Sequence, residues 1–393
     1  MAIRLESIRK NITTICRLLV GILFIISGLI KANDTTGFGY KLDEYWYVFH
    51  IPFLNPISVY LAMFICVVEI GLGISLLLGT FRKITLNLLI LMIVFFTFLT
   101  FYSAYFDKVK ECGCFGDALK LTPWQSFSKD IALCILIGIL WLNRKFIKPL
   151  WLKDGRGERI LYGGIILSIV FTIYCWYYLP VVDFLPYAVG KDIVKQMTIP
   201  PGAPVDKLEM KFIYQKDGKD FFISMNQLDS FSKRPDFETY KYIDRKDVLI
   251  SKGYEPPIHD FVIYADVQGG NGRMEVTKTF LDQKGFKLVI AHQILETSNL
   301  KSQKDIIKLV QEISKHGIQI WGLTSSSSEV IEKYKKDNGV NYNFYAADGT
   351  MLRTMIRANP GMLLLKDNVI IGKWPGTMTP SANDIIELMK NTK

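Results

Sequence analysis

Five stretches of the chain are long and apolar enough to read as membrane helices, and all lie before Pro180. They fall at about residues 12–32, 57–80, 84–106, 126–143 and 160–180, each near the 20 or so residues that cover a hydrocarbon core. The fourth is the weakest, because its charge-free run begins only after Lys129 and Asp130. A span starting near Trp124 would place that ring at the interface, with Lys129 snorkelling toward the headgroups. Past Pro180 the pattern changes. Residues 183–204 are rich in Pro and Gly and read as a stiff connector. Two short apolar runs, 211–214 and 221–223, flank Lys216-Asp217-Gly218 as a β-hairpin, and Val248-Leu249-Ile250 follows as a further strand.

From about residue 258 strands and helices alternate, which predicts an α/β layer. Strands are expected at 286–291 and 318–323. A helix is expected at 303–316, on the spacing of Ile306, Ile307, Val310 and Ile313. A second helix, 330–336, can be capped by the serines at 325–328. A short strand begins at Phe344, and a hairpin, 362–365 with 369–371, leads to a last helix at 382–391. Asn359-Pro360 before that hairpin is a candidate cis bond. The expected organisation is a membrane domain at 1–145, a basic loop and fifth span at 146–181, a connector and β-rich segment at 182–255, and the α/β domain at 256–393.

Composition divides in the same way. The chain has 393 residues, is 50% hydrophobic and carries a formal charge of +10, with mean hydropathy +0.21. Residues 1–180 hold 18 Lys and Arg against 11 acids, and the remainder 29 against 26. No basic run with interleaved aromatics is present, which excludes nucleic-acid binding. The N-terminus, the 81–83 turn and the 144–159 loop hold 11 basic residues in 30 positions, whereas 33–56 and 107–125 hold 4 in 43. The basic loops belong on the cytoplasmic side. The N-terminus is then inside and everything after the fifth span outside. Omitting the fourth span would put the most basic loop outside. The first span lacks a small-residue cleavage site and reads as a retained helix.

Six cysteines all precede residue 176, so no disulfide framework holds the outer part. The informative pair is in Glu111-Cys112-Gly113-Cys114-Phe115-Gly116-Asp117, an outer loop. A small-ring disulfide there would use the freedom of Gly113 and Gly116, and strained, exposed disulfides are the exchangeable ones. A structural bridge or two unreacted thiols remain open. Two Cys with His50 do not complete a closed zinc site, so no metal is expected. Cys66, Cys134 and Cys175 read as apolar fillers and Cys16 lies near the cytoplasmic side. Glu69, mid-way along the second span, and Lys31, at the end of the first, are intramembrane charges and so candidates for proton relay or a quinone head group. Lys31 could instead snorkel to the interface, and Glu69 could make a structural hydrogen bond. No phosphate loop, nucleophile elbow or metalloprotease helix occurs.

Gly21 through Lys31 with its Ser27-Gly28-Leu29-Ile30-Lys31 ending, Glu69-Ile70-Gly71-Leu72-Gly73, the Cys112-Gly113-Cys114-Phe115-Gly116-Asp117 loop and Leu121-Thr122-Pro123-Trp124 resemble DoxX-like and MauE-like redox-associated membrane proteins over about residues 10–145. That resemblance implies a four-helix membrane domain in a bacterial inner membrane, with the outer domain periplasmic. Residues 256–393 resemble a thioredoxin-like domain. Enzymes of that fold carry Cys-x-x-Cys after the first central strand, where this chain has Ala291-His292-Gln293-Ile294-Leu295, so the resemblance implies a binding module. Two functions follow as expectations. One is thiol-disulfide exchange at Cys112 and Cys114, linked to a membrane quinone, with the outer domain docking an envelope protein. The other is a non-catalytic membrane scaffold with a structural Cys pair.

Overall fold

The structure, a computed structural model, describes residues 2–109, 115–119, 121–150, 155–251, 253–267 and 272–392. Cys112 and Cys114 lie outside the described residues. Two units are present, Met1–Lys191 with Val262–Lys393, and Asp192–Phe261.

The first unit begins with α1 (Ala2–Asn33), α2 (Thr35–Val48), α3 (Ser58–Leu78), α4 (Arg82–Phe106), α5 (Pro123–Leu142) and α6 (Arg156–Tyr177). All but α2 are long and apolar enough to cross a membrane, which makes this a multi-pass membrane protein. The weakest stretch in sequence, α5, has a well-defined start. Thr122 and Gln125 form a reciprocal capping box and Pro123 occupies the first turn, where its missing N–H costs nothing. Small residues bring α1 onto α3: a Cβ on Gly73 would lie 2.8 Å from the Gly21 carbonyl oxygen. Gly164 packs against Ile74 in the same manner, whereas its neighbour Gly163 faces open space.

The amphipathic α2 occupies a stretch read from sequence as loop. Phe38, Leu42, Tyr45 and Trp46 recur at helical spacing and are buried. Asp34 caps it, Oδ1 accepting from Gly37 N at 2.8 Å. At the opposite end of the bundle Arg17 donates to the carbonyls of Leu76, Leu77 and Lys148. The basic turn after α3 and the basic loop after α5 therefore share one end, away from α2.

Residues 192–261 form their own unit. It holds α7 (Ile193–Met197), β1 (Lys207–Lys216), β2 (Lys219–Ser224), α8 (Met225–Ser232) and β3 (Lys241–Ser251) in an antiparallel sheet of order β2-β1-β3. Asp217 and Gly218 both have positive φ, as a tight hairpin turn between β1 and β2 requires. Tyr214, Phe231, Phe237 and Tyr240 cluster edge-to-face as its small core.

The first unit resumes with β4 (Ile263–Asp266), β5 (Arg273–Glu275), α9 (Thr277–Asp282), β6 (Phe286–His292), α10 (Leu300–Ile313), β7 (Gln319–Thr324), α11 (Ser328–Asn338), β8 (Phe344–Ala347), α12 (Gly349–Met355), β9 (Gly361–Lys366), β10 (Val369–Pro375) and α13 (Ala382–Asn391). The sheet order is β10-β9-β6-β7-β8-β4-β5. β6, α10 and β7 make a parallel βαβ unit, and β9 returns antiparallel to β6 and pairs with β10. This is the expected thioredoxin-like order, with a cis Asn359-Pro360 bond before β9. Leu288, Ile290, Ile306, Val310, Ile313 and Leu364 form the centre of its core.

Where the resemblance places a thiol pair, the core holds a neutral polar network. His292 ends β6 fully buried, with Nδ1 2.9 Å from Ser298 Oγ and Nε2 3.1 Å from Tyr342 Oη. Gln303 Nε2 donates to the same Tyr342 oxygen. Burial holds the imidazole down at a pKa of about 3. Below the ordinary value near 6.5 the unfolded chain takes a proton that the folded one refuses. Stability from this group is complete above that pH and falls as pH drops toward about 3. The slope should be about 1.4 kcal/mol per pH unit. Denaturation of the full chain in detergent between pH 7 and 4, followed by tryptophan fluorescence, should show a wild-type slope that exceeds the His292→Gln slope by about that amount below pH ~5.5. Equal slopes would refute it.

Candidate functional site

The sequence singles out Lys31 and Glu69 separately, and the fold brings them together. Lys31 sits in the last turn of α1 and Glu69 in the middle of α3, and both are almost fully buried, at 2% and 3% exposure. Lys31 Nζ lies 3.0 Å from Glu69 Oε1 and 2.9 Å from Oε2, and it also donates to Ser27 Oγ at 2.6 Å. Lys31 therefore does not snorkel to the interface. The close α1–α3 approach at Gly28, where a Cβ would sit 3.2 Å from Ile70 N, lets the two side chains meet inside the bundle. Phe38 and Phe96 present their rings at 5.9 and 5.4 Å from the ammonium.

A second pair faces the same space. Asp130 on α5 is 1% exposed and accepts from Lys129 at 2.8 Å and from Thr100 Oγ1 at 2.9 Å. Lys129 thus turns toward the bundle rather than toward the headgroups. Asp130 was visible in sequence only as an interruption of an apolar run. Ser27, Lys31, Glu69, Lys129 and Asp130 line a cavity of about 30 Å³ together with Phe115. Leu23, Phe24, Ile93, Phe96 and Leu133 complete a wall that is mostly apolar around these charges.

Phe115, the residue after Cys114, places its ring 5.2 Å from Lys129 Nζ. Asp117, two residues on, accepts from Arg357 Nη2 at 2.8 Å, while Arg357 Nε donates to Asp34 Oδ2 at 2.8 Å. The guanidinium is only 9% exposed. Burial opposes its charge, and the carboxylates of Asp34 and Asp117 more than offset this and hold its pKa above the ordinary value. Tyr40 on α2 lies under Arg353 and Arg357, at 4.8 and 5.7 Å, and donates to Gln293 Oε1 at 2.8 Å. Burial raises the Tyr40 pKa despite the two arginines. A larger recess of about 350 Å³ lies beside this contact, with Tyr40, Trp176, Asn359 and Pro360 in its wall.

Cys16, Cys66 and Cys175 are buried free thiols and Cys134 is half-buried. Among the described residues no cluster of three or more His, Cys, Asp or Glu could hold a metal ion.

Glu69→Gln would strand the Lys31 ammonium in the bundle, and removing one partner of a buried pair costs about 3–5 kcal/mol. Thermal unfolding in nanodiscs should show that loss. The double variant Lys31→Met with Glu69→Leu should recover most of it, because an apolar pair of similar volume leaves no charge behind. A double variant as unstable as the single would contradict the pairing.

Residues 9–143 match the family model described as "Methylamine utilisation protein MauE". Protein TlpB of Flavobacterium psychrophilum is 30% identical over 135 residues, which are 33% of this chain and 36% of that protein. The chain thus matches about a third of the length of this curated relative. The match to the MauE model covers the bundle through α5, which contains both buried ion pairs and Phe115.

Proposed function

We propose that the Cys112-Gly113-Cys114 loop carries out thiol-disulfide exchange with a dithiol protein at the outer face of a bacterial cytoplasmic membrane. The observation that carries this reading is the setting of Phe115. The residue following the cysteine pair packs over the Lys129 ammonium and lines the cavity that Lys31, Glu69 and Asp130 share. The match to the MauE model over the bundle and the resemblance of the loop residues support the same reading.

In the exchange, a thiolate of the partner attacks one sulfur of the Cys112–Cys114 disulfide, forming a mixed disulfide and releasing the other loop thiolate. The partner's second thiolate then displaces the remaining loop sulfur. The partner is oxidised by two electrons, the loop becomes a dithiol, and the protons lost by the partner match those gained by the loop. Reoxidation requires a two-electron acceptor such as a quinone, and the small cavity gives no reason to route that step through the bundle. The basic loops gathered at the Arg17 end support a cytoplasmic N-terminus with the α/β domain outside.

Acid quenching and alkylation of membranes should show the pair shifting between disulfide and dithiol under mild oxidant and reductant. Cys112→Ser and Cys114→Ser should leave one thiol able to trap a partner as a mixed disulfide. A pair inert to both reagents, with no trapped species in either variant, would sink exchange and leave the scaffold reading, which the cysteine-free α/β domain favours.

A further inference from the structure

In open α/β sheets the binding position is the crevice just beyond the carboxyl ends of the parallel strands. Here that position is the segment after β6, starting at Gln293, where the sequence has no thiol. Gln293 is committed elsewhere. Its Nε2 donates to the carbonyls of Ile356 and Ala358, and its Oε1 accepts from Tyr40 of the membrane domain. The neighbouring Arg357 is committed to Asp34 and Asp117, and Arg353 to the Tyr40 ring. Further along the same contact Lys373 Nζ reaches Asp183 Oδ2 at 2.6 Å, and Thr377 Oγ1 donates to the carbonyl of Tyr177.

We propose that the ligand of this α/β domain is its own membrane domain. The strand-end crevice and the 353–357 segment grip an acidic and aromatic element, the Asp34-capped α2 with Tyr40, and hold the turn bearing Asp117 against it. The domain works in cis as a clamp on the outer end of the bundle, and an external protein meets other surfaces. Charge complementarity carries the assignment. A single buried guanidinium satisfies two carboxylates from separate parts of the membrane domain, and Asp34 uses one oxygen for the helix cap and the other for the clamp. This goes beyond the exchange reading and stands or falls separately from it.

Hydrogen exchange of the full chain in nanodiscs tests the clamp without thiol chemistry. Arg357→Ala should raise exchange at least tenfold in residues 35–48 while β6 and α10 keep wild-type protection, and Arg357→Lys should restore part of it. The pair Asp34→Asn with Asp117→Asn lies outside the α/β domain and keeps a competent cap, since Asn caps as well as Asp. It should release residues 35–48 to the same extent. If Arg357→Ala lowers protection throughout the domain, the Asp34→Asn, Asp117→Asn protein decides. Wild-type exchange of residues 35–48 in that protein overturns the proposal.

Discussion

A charge inside hydrocarbon must find its opposite, and much of the Lys31 end of this bundle is organised around that requirement. Lys31 comes from α1 and Glu69 from α3, so these two spans must be in register before either charge is satisfied, while Lys129 and Asp130 pair within α5 beside the same cavity. The glycines that bring α1 against α3 make the first pairing geometrically feasible. Thr100 from α4 also donates to Asp130, so all four spans of the MauE-matching region contribute to one polar centre. Such a centre adds little net stability over apolar packing, because desolvation offsets much of the attraction. It does discriminate against a misregistered α1 or α3, either of which would leave a charge alone.

The same logic recurs outside the bundle with Arg357. A rigid planar guanidinium can serve two carboxylates at once, which a lysine ammonium does less well. The residues on either side of the contact have low intrinsic interest in sequence. Asp34 and Tyr40 lie in a stretch that reads as loop, and Gln293 is a polar residue after a strand. Their significance comes from distances across more than 250 positions of chain, such as the Tyr40 to Gln293 bond.

Local pattern made much of the fold legible. Apolar length located five spans, Thr122-Pro123 the start of α5, and the i, i+3, i+4 spacing of Ile306, Val310 and Ile313 the helix of the βαβ unit. The last helix has the bounds read from sequence. What failed was local evidence too weak to stand alone. The helical spacing of Phe38, Leu42 and Trp46 was present but shared its segment with two glycines, and β4 and β5 are too short to show alternation. For the site, burial separated the two readings of Lys31. No periodicity argument could reveal that Lys129 and Asp130, an apparent flaw in a span, share a cavity with Lys31 and Glu69.

Arg17 carries a consequence for assembly. Its guanidinium binds the carbonyls of residues 76, 77 and 148, the last lying 131 positions further along the chain. The donor is made with α1, yet its acceptors are complete only after α5 has been synthesised. The first helix must therefore wait at the membrane surface with its arginine still hydrated, and the bundle can lock at that end only late in biogenesis.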